Sequence, residues 1–379
     1  MAIFPVFGPA PQAGEAIGSR IPYLMVGFFL LTTYSVAYDF AVVTLILGQS
    51  WHGKHFDDLS NNTVRLVMGI VLLAVTVVSK VFWVGAWAYG LYITHWSRRH
   101  VNPTTTLKRV MQSDPAERVA IEHGQPASNA RFKRCRRPDC TDRKPYGDRV
   151  YHCTKLGRHY PLYDHYCHYL WVVVYLDTIK TYFCTIFWLG LDGILCMSAS
   201  FAAVGMSRSG LGQLHSIIGV FSGILAVYIT VQAGWSQFKW LAFRNVVGFE
   251  WSIPQWTMVR TIDTPGGKHV QFVTIARSED DKRLGRNWNP WSLSLGENFR
   301  QALGERVWTW PLFWVQPRRV RQYGKSPTME SDLPLGPLWR RFEREPFESE
   351  ATWTEFLPLP PIAAAVRRGI ARSSGIELA

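Results

Sequence analysis

Four long stretches of apolar residues constrain the fold of this 379-residue chain more than any other feature. They cover residues 21–48, 66–92, 181–206 and 215–238, and none holds more than one Asp, Glu, Lys or Arg. A helix that crosses the hydrocarbon core of a bilayer needs about 20 such residues. We therefore predict an all-α integral membrane fold with four transmembrane helices; the alternative is a very hydrophobic soluble core.

The distribution of basic residues predicts how these helices are oriented. Of the 41 Lys and Arg residues, 16 lie between the second and third stretches and 20 lie after the fourth. Basic loops face the cytosol in most membrane proteins. The predicted organisation is a cytosolic N-terminus (1–20), helices 1 and 2 (21–96), a cytosolic loop domain (97–180), helices 3 and 4 (181–238) and a cytosolic tail (239–379).

The formal net charge of +13 is compatible with nucleic acid or with anionic lipid. Because the excess flanks the apolar stretches, it favours membrane lipid over nucleic acid, and it also suits a phosphate-bearing ligand such as a coenzyme. We expect an endomembrane location (ER, Golgi or plasma membrane) with both termini in the cytosol.

The predicted cytosolic loop domain concentrates cysteine and histidine. Four of the six cysteines lie there, and in the cytosol such a cluster indicates metal binding or catalysis rather than disulfides. Zinc takes four ligands tetrahedrally, often as two close pairs. Cys135 and Cys140 make one pair, and His159 with either His152 or Cys153 makes the other. The alternative is a surface loop that happens to contain these residues.

Cys167 stands apart from this cluster, close to the start of the third helix. It follows Asp164-His165-Tyr166, so a thiol lies two residues from an imidazole that is itself next to a carboxylate. The imidazole can take the thiol proton, and the carboxylate can orient the imidazole. This pattern indicates an activated nucleophile; the alternatives are a further zinc ligand or a plain interfacial residue.

These motifs resemble the cysteine-rich domain of the DHHC-type protein S-acyltransferases, which are integral-membrane palmitoyltransferases named for an Asp-His-His-Cys sequence. The similarity lies in residues 140–145, 149–153 and 164–167, and the placement of this domain between helices 2 and 3 also matches. Gly157-Arg158 is similar to a fungal subgroup. The resemblance covers roughly residues 20–300, with its specific motifs in 135–180.

The resemblance implies a two-step acyl transfer. Cys167 would accept a fatty acyl group from palmitoyl-CoA and pass it to cysteine thiols of protein substrates on the cytosolic face, with His165 as base and Asp164 as its orienting partner. A membrane scaffold or chaperone that kept the fold with weak or no activity is the alternative. A zinc-loop membrane adaptor unrelated to acyl transfer ranks third.

The sequence also departs from the family pattern. The family's first zinc site falls on Cys135, Cys140, His152 and His159, where histidine replaces one cysteine and remains a good ligand. The second site falls on Cys153, Leu156, Tyr166 and Val173, which predicts that this site is lost and that one zinc remains. Of the Thr-Thr-x-Glu motif after helix 4, only Glu250 is kept; Asn289-Pro290-Trp291 and Asn298-Phe299 resemble the family's C-terminal segment weakly.

Three charged residues lie within the apolar stretches, namely Asp39, Lys80 and Asp192. Such residues usually face a bundle interior, a cavity or the membrane interface. For Lys80 we expect the side chain to extend to the interface; an ion relay is disfavoured because the chain has no internal repeat. The sequence reveals no Ser/His/Asp set, and the tail after residue 241 shows little clear periodicity.

Overall fold

The computed structural model describes most of the membrane part and much of the loop domain and tail. The residues described are 21–48, 62–103, 132–135, 137, 140, 145–147, 149–206, 211–248, 250, 255–264, 267–276, 291–325, 333–337 and 353–358. The predicted N-terminal segment 1–20 and the short loop 49–61 lie outside them.

Long helices form the membrane part. Helix α1 (Ile21–Thr32) continues with π-helical turns over Thr33–Ile46, and α2 (Asn62–Tyr92) continues in the same way over Ile93–Ser97. Helix α3 is Ile179–Met206, and α4 (Leu211–Val227) is extended by π-helical turns over Tyr228–Trp235 and Phe238–Phe243.

Within the described residues, four helices are long and apolar enough to cross a membrane, and they make the chain a multi-pass membrane protein. The spans are Pro22–Ile46, Thr63–Ser97, Ile179–Gly205 and Leu214–Phe243. The predicted stretches are confirmed, but the second span has 35 residues. At 1.5 Å per residue it is about 52 Å long, so it projects beyond a hydrocarbon core of about 30 Å.

Small residues let α3 and α4 approach closely. A Cβ atom added at Gly193 would lie 2.9 Å from the Cβ of Ala226, and one at Gly219 would lie 2.9 Å from the Cβ of Ser200. Helix association in lipid depends on such close packing, because lipid tails are as apolar as the side chains they would replace.

Lys80 does not extend to the interface as the sequence analysis expected. Its ammonium lies 2.8 Å from Asp192 Oδ2 and donates to Thr32 Oγ1 at 2.6 Å, and the side chain is 5% exposed. Asp192 also accepts from Ser79 and from the indole of Trp83. The expectation was wrong because a buried carboxylate on α3 and a hydroxyl on α1 satisfy the charge locally.

A second polar set inside the membrane part joins α1 to α4. His215 Nε2 lies 3.0 Å from Asp39 Oδ2, and His215 Nδ1 lies 2.6 Å from Ser35 Oγ. All three residues are buried. Sequence analysis did not recognise this Ser/His/Asp set, because about 180 residues separate its members along the chain.

The all-α prediction holds for the membrane part but not for the loop domain and tail. The loop domain contains three two-stranded antiparallel hairpins: β1 (Phe132–Arg134) with β2 (Pro145–Gly147), β3 (Val150–Cys153) with β4 (Arg158–Pro161), and β5 (His165–Cys167) with β6 (Val172–Val174). In the tail, β7 (Gln255–Thr264), β8 (Gly267–Ala276) and β9 (Trp353–Pro358) form an antiparallel sheet in that order, and α5 (Leu295–Leu303) and α6 (Arg318–Gln322) are short helices.

Candidate functional site: a metal cluster beside a candidate nucleophile

The β3–β4 hairpin brings two histidines face to face. His152 and His159 are direct partners in its register, with His152 Nδ1 3.4 Å from His159 Nε2. Cys140 Sγ lies 3.8 Å from the same nitrogen of His159. Together with Cys135, these side chains place four potential ligand atoms within 4.8 Å of one another.

These distances fit a tetrahedral zinc ion. Zn–N bonds of about 2.05 Å and Zn–S bonds of about 2.3 Å separate two nitrogens by about 3.4 Å, and a nitrogen from a sulfur by about 3.6 Å. The observed separations are 3.4 and 3.8 Å. The four residues predicted from their spacing can therefore hold one metal ion.

Asn102 supports this cluster from the end of α2. The backbone N–H of His159 donates to Asn102 Oδ1, and the backbone N–H of Asn102 donates to the His159 carbonyl, both at 2.8 Å. Groups that fix the position of a ligand matter nearly as much to a metal site as the ligands themselves.

Cys153 lies outside the group of four possible ligands, whereas His152 belongs to it. The Cys153 side chain is fully buried in the hydrophobic core together with Tyr160. Burial, with Cys153 and Asp164 adding to it, raises the pKa of the nearby Tyr163 phenol above its usual value, so this phenol stays neutral. In the described part of the chain, no other group of three or more Cys, His, Asp or Glu side chains could hold a metal.

The β5–β6 hairpin carries the candidate nucleophile. His165 and Cys167 are two residues apart on β5, so their side chains leave the same face of the strand. Cys167 is one of the two groups that raise the pKa of the His165 imidazole, and its side chain is buried. The Asp-His-Tyr-Cys sequence therefore brings thiol and imidazole together through strand geometry alone.

Asp164 is held from two sides. Its Oδ2 accepts from His165 Nδ1 at 2.7 Å, and its Oδ1 accepts from the backbone N–H of Gly248 at 2.5 Å. This contact fixes Nδ1 as the nitrogen that faces the carboxylate and leaves Nε2 for the thiol. Sequence analysis missed Gly248, because a backbone donor leaves no trace in residue type.

The environment of His165 favours its protonated form. Burial lowers the pKa of the imidazole, but Asp164 and Cys167 together outweigh it through hydrogen bonds and charge, and the pKa rises to about 10. The imidazole is then an imidazolium at neutral pH, and it can stabilise a thiolate on Cys167.

Two helices hold the candidate nucleophile in place. The ring of Tyr182, on α3, meets the His165 ring edge-on at 5.9 Å, and its hydroxyl donates to the carbonyl of Ala233 at 3.2 Å. On α2, the indole of Trp87 donates to the Leu170 carbonyl at 2.9 Å. The β5–β6 hairpin is thereby fixed against α2 and α3.

A buried ion pair joins the segment after α4 to the loop domain. Arg149 Nη2 lies 2.8 Å from Glu250 Oε2, and both side chains are almost fully buried. Glu250 also accepts from the Tyr151 hydroxyl at 2.6 Å and from the Val247 N–H at 2.9 Å. The retained motif glutamate thus positions the chain around Gly248, the donor to Asp164.

Residues of the weakly resembling C-terminal segment lie at the same junction. The Arg149 guanidinium lies 4.9 Å from the centre of the Trp291 ring, and the Trp291 carbonyl accepts from Asn245 at 2.9 Å. Asn298 donates to the Phe243 carbonyl at 2.7 Å. Asn289 and Pro290 lie outside the described residues.

No protein-family model matches this chain, and no curated protein matches it either.

Proposed function

We propose that this protein is a membrane-embedded protein S-acyltransferase of the DHHC type, with Cys167 as its nucleophile. The observation that carries the proposal is the chain of hydrogen bonds from Gly248 through Asp164 to His165, which lies two residues before Cys167 on strand β5. A carboxylate-oriented imidazole beside a thiol is the arrangement that activates cysteine for acyl transfer.

The residues suggest the following chemistry. The Cys167 thiolate attacks the thioester carbonyl of acyl-CoA, a new C–S bond forms, and the bond to the CoA sulfur breaks. The imidazolium of His165 gives its proton to the departing CoA thiolate. A substrate cysteine then attacks the acyl-enzyme; His165, now neutral, takes the proton of the incoming thiol, and Cys167 is released as thiolate.

The position of Cys167 suits a donor with one end in water and one end in lipid. The β5–β6 hairpin lies against α2 and α3, and the candidate span of α3 begins at Ile179. A thiol at this level can meet the water-soluble CoA part of the donor while the acyl chain stays among the helices. The proposal also requires that this face of the membrane is cytosolic, as the positive-inside rule favours.

One zinc would serve structure rather than chemistry. Zinc bound to Cys135, Cys140, His152 and His159 would clamp the β3–β4 hairpin to the segment that follows β1, and structural zinc contributes folding energy directly. It would hold no substrate, because all four tetrahedral positions would be filled by protein.

A non-catalytic scaffold is the second candidate. It is favoured by the burial of Cys167, which restricts access to the thiol. Only 4% of Cys167 is exposed, and a misplacement of about 1 Å at a reacting centre can cost roughly a hundredfold in rate. The second-site positions Leu156, Tyr166 and Val173 cannot act as a zinc clamp on the motif. We therefore expect slow acyl transfer rather than none.

Self-acylation tests the proposal. Purified protein in detergent is incubated with labelled palmitoyl-CoA, and the bound label is released with hydroxylamine. We expect a hydroxylamine-sensitive label that disappears in Cys167→Ser, falls at least tenfold in His165→Ala, and persists in the control Cys153→Ser. Label that persists in Cys167→Ser would place the chemistry elsewhere, and a folded, zinc-loaded protein that never acylates would support the scaffold.

A further inference from the structure

A short aromatic segment of the tail lies against the membrane helices. This segment, residues 307–316, follows α5, and we name it the wedge. The wedge contains Trp308, Trp310 and Trp314 and no charged residue, while Arg306 precedes it and Arg318 follows it closely. Ten residues are too few to cross a bilayer, which takes about 20.

A row of side chains on α3 donates to the backbone of the wedge. Lys180, Cys184 and Trp188 are spaced four residues apart, so they lie along one face of the helix. The acceptors are the carbonyls of Thr309 and Val315 for Lys180 (2.8 and 2.5 Å), of Trp310 for Cys184 (3.3 Å) and of Pro311 for Trp188 (3.0 Å).

This row satisfies carbonyls that irregular backbone cannot satisfy by itself. Apart from a single 3₁₀ turn at Val307–Thr309, the wedge is not helical, and irregular backbone is tolerated at membrane depth only where protein supplies its hydrogen bonds. In water, solvent molecules would donate hydrogen bonds to these carbonyls, and side-chain donors from α3 would not be needed. The donors from α3 therefore indicate that the wedge lies where water is scarce.

Contacts with α2 and α3 place the wedge within the spans. A Cβ atom at Gly85 would lie 2.9 Å from the ring of Phe313, and the rings of Phe82 and Trp314 are 5.5 Å apart. Trp188 follows the start of the α3 span at Ile179 by nine residues, which is about 14 Å along a helix. The wedge thus contacts about the first third of the candidate α3 span.

The outer face of the wedge is apolar and is not covered by any described part of the chain. Val307, Trp308 and Trp314 are 66%, 65% and 51% exposed, and tryptophan is enriched where membrane proteins meet the interface. Arg306 and Arg318, at the two ends, are exposed and suited to lipid phosphates. Apolar side chains of α2 are exposed as well, among them Val71, at 55%.

We propose that the wedge is a re-entrant segment seated in the leaflet on the side of the loop domain, with Trp308 and Trp314 in contact with lipid. Part of the tail would then lie in the membrane, and the tail as a whole would not be exposed to water. This inference stands apart from acyl transfer, because it depends on α2, α3 and the wedge and on no residue of the candidate site.

Photo-crosslinking of the full chain in lipid nanodiscs tests the wedge. The photoreactive residue p-benzoylphenylalanine replaces Trp308 or Trp314, and the lipid adduct is measured by mass spectrometry. The matched controls are Val71 on α2, as a lipid-facing position, and Thr154 in the β3–β4 turn, which is exposed. We expect adduct yields at 308 and 314 within about threefold of Val71 and at least tenfold above Thr154.

Adduct yields at 308 and 314 no higher than at Thr154 would overturn the proposal. A measurement on the unsubstituted chain guards against a misfolded variant: diazirine-bearing lipid labels the wild-type protein before tryptic digestion. The wedge is recovered within the peptide 307–318, and residues 150–155 of the loop domain form a comparison peptide. Label on 307–318 above that on 150–155 supports the proposal, and equal label contradicts it.

Discussion

At the scale of single residues, the protonation of His165 bears most directly on the role proposed for Cys167. His165 carries a raised pKa of about 10, because the Asp164 carboxylate, 2.7 Å from its Nδ1, and Cys167 together outweigh the effect of burial. A free thiol titrates near pH 8.5 and is mostly protonated at neutral pH. The raised pKa of His165 keeps a positive charge on β5, two residues from Cys167, at neutral pH.

The raised pKa predicts a dependence of stability on pH. The folded-state pKa of His165 exceeds the ordinary value of about 6.5, so its contribution to stability is full below pH 6.5 and is lost as the pH rises through about 10. One third of the side chain is exposed, so the loss should be modest. Between pH 6.5 and 10, the melting temperature in detergent should fall further for wild type than for His165→Gln. Parallel curves would contradict the assignment.

His159 permits an equally direct test of the metal site. We expect one zinc per chain, and His159→Ala should lower both zinc content and melting temperature because structural zinc contributes folding energy. His168→Ala, which changes a histidine outside the cluster, serves as the control and should keep its zinc. Metal analysis that finds two zincs in wild type, or none, would refute the four-ligand assignment.

At the scale of elements, buried polar contacts determine which helix faces meet. Lys80 and Asp192 join α2 to α3, and Ser35, Asp39 and His215 join α1 to α4. In lipid there is little hydrophobic difference between one apolar face and another, so packing and polar contacts select the partners. These contacts specify the bundle that supports the β5–β6 hairpin.

The Lys80–Asp192 pair predicts an asymmetric mutational response. Asp192→Asn leaves a buried ammonium without its counter-charge, which costs about 3–5 kcal/mol in comparable buried pairs. Replacing both partners with apolar residues of similar size, Lys80→Met with Asp192→Leu, should recover most of that loss. Thermal unfolding in detergent measures both variants. If the double variant is no more stable than Asp192→Asn, the expectation is wrong. The pair would then stabilise the bundle through its specific contacts and not only by neutralising two buried charges.

The sequence predicts some elements well and others not at all, for physical reasons. Hydropathy locates the four spans because each exceeds the thickness of a bilayer, and ligand spacing locates the metal cluster because its members lie close along the chain. The partners of Lys80 and His215 are far away in sequence, and apolar composition does not say which faces meet. The wedge is shorter than any hydropathy window for a span, so only its contacts with α3 reveal it.

At the scale of the whole molecule, the chemistry depends on which side of the membrane the loop domain faces. Its candidate nucleophile, its metal cluster and the segment bearing Glu250 all lie at the same end of the helix bundle. Acyl-CoA is a cytosolic metabolite class with a charged head, so the proposed transfer works only if this end is cytosolic. Charge distribution supports that orientation, since 36 of the 41 Lys and Arg residues lie in residues 97–180 and 239–379.

Limited trypsin digestion of sealed microsomes with their cytosolic face outward tests this orientation with internal controls. Lys155, in the β3–β4 turn, is exposed and should be cleaved without detergent. Lys54 and Arg208, in the two short loops between spans, should be cleaved only after detergent opens the vesicles. Mass spectrometry identifies each cleavage. The opposite pattern, with Lys155 protected and Lys54 cut in intact vesicles, would reverse the topology and remove acyl-CoA as a donor, because the candidate nucleophile would then face the lumen.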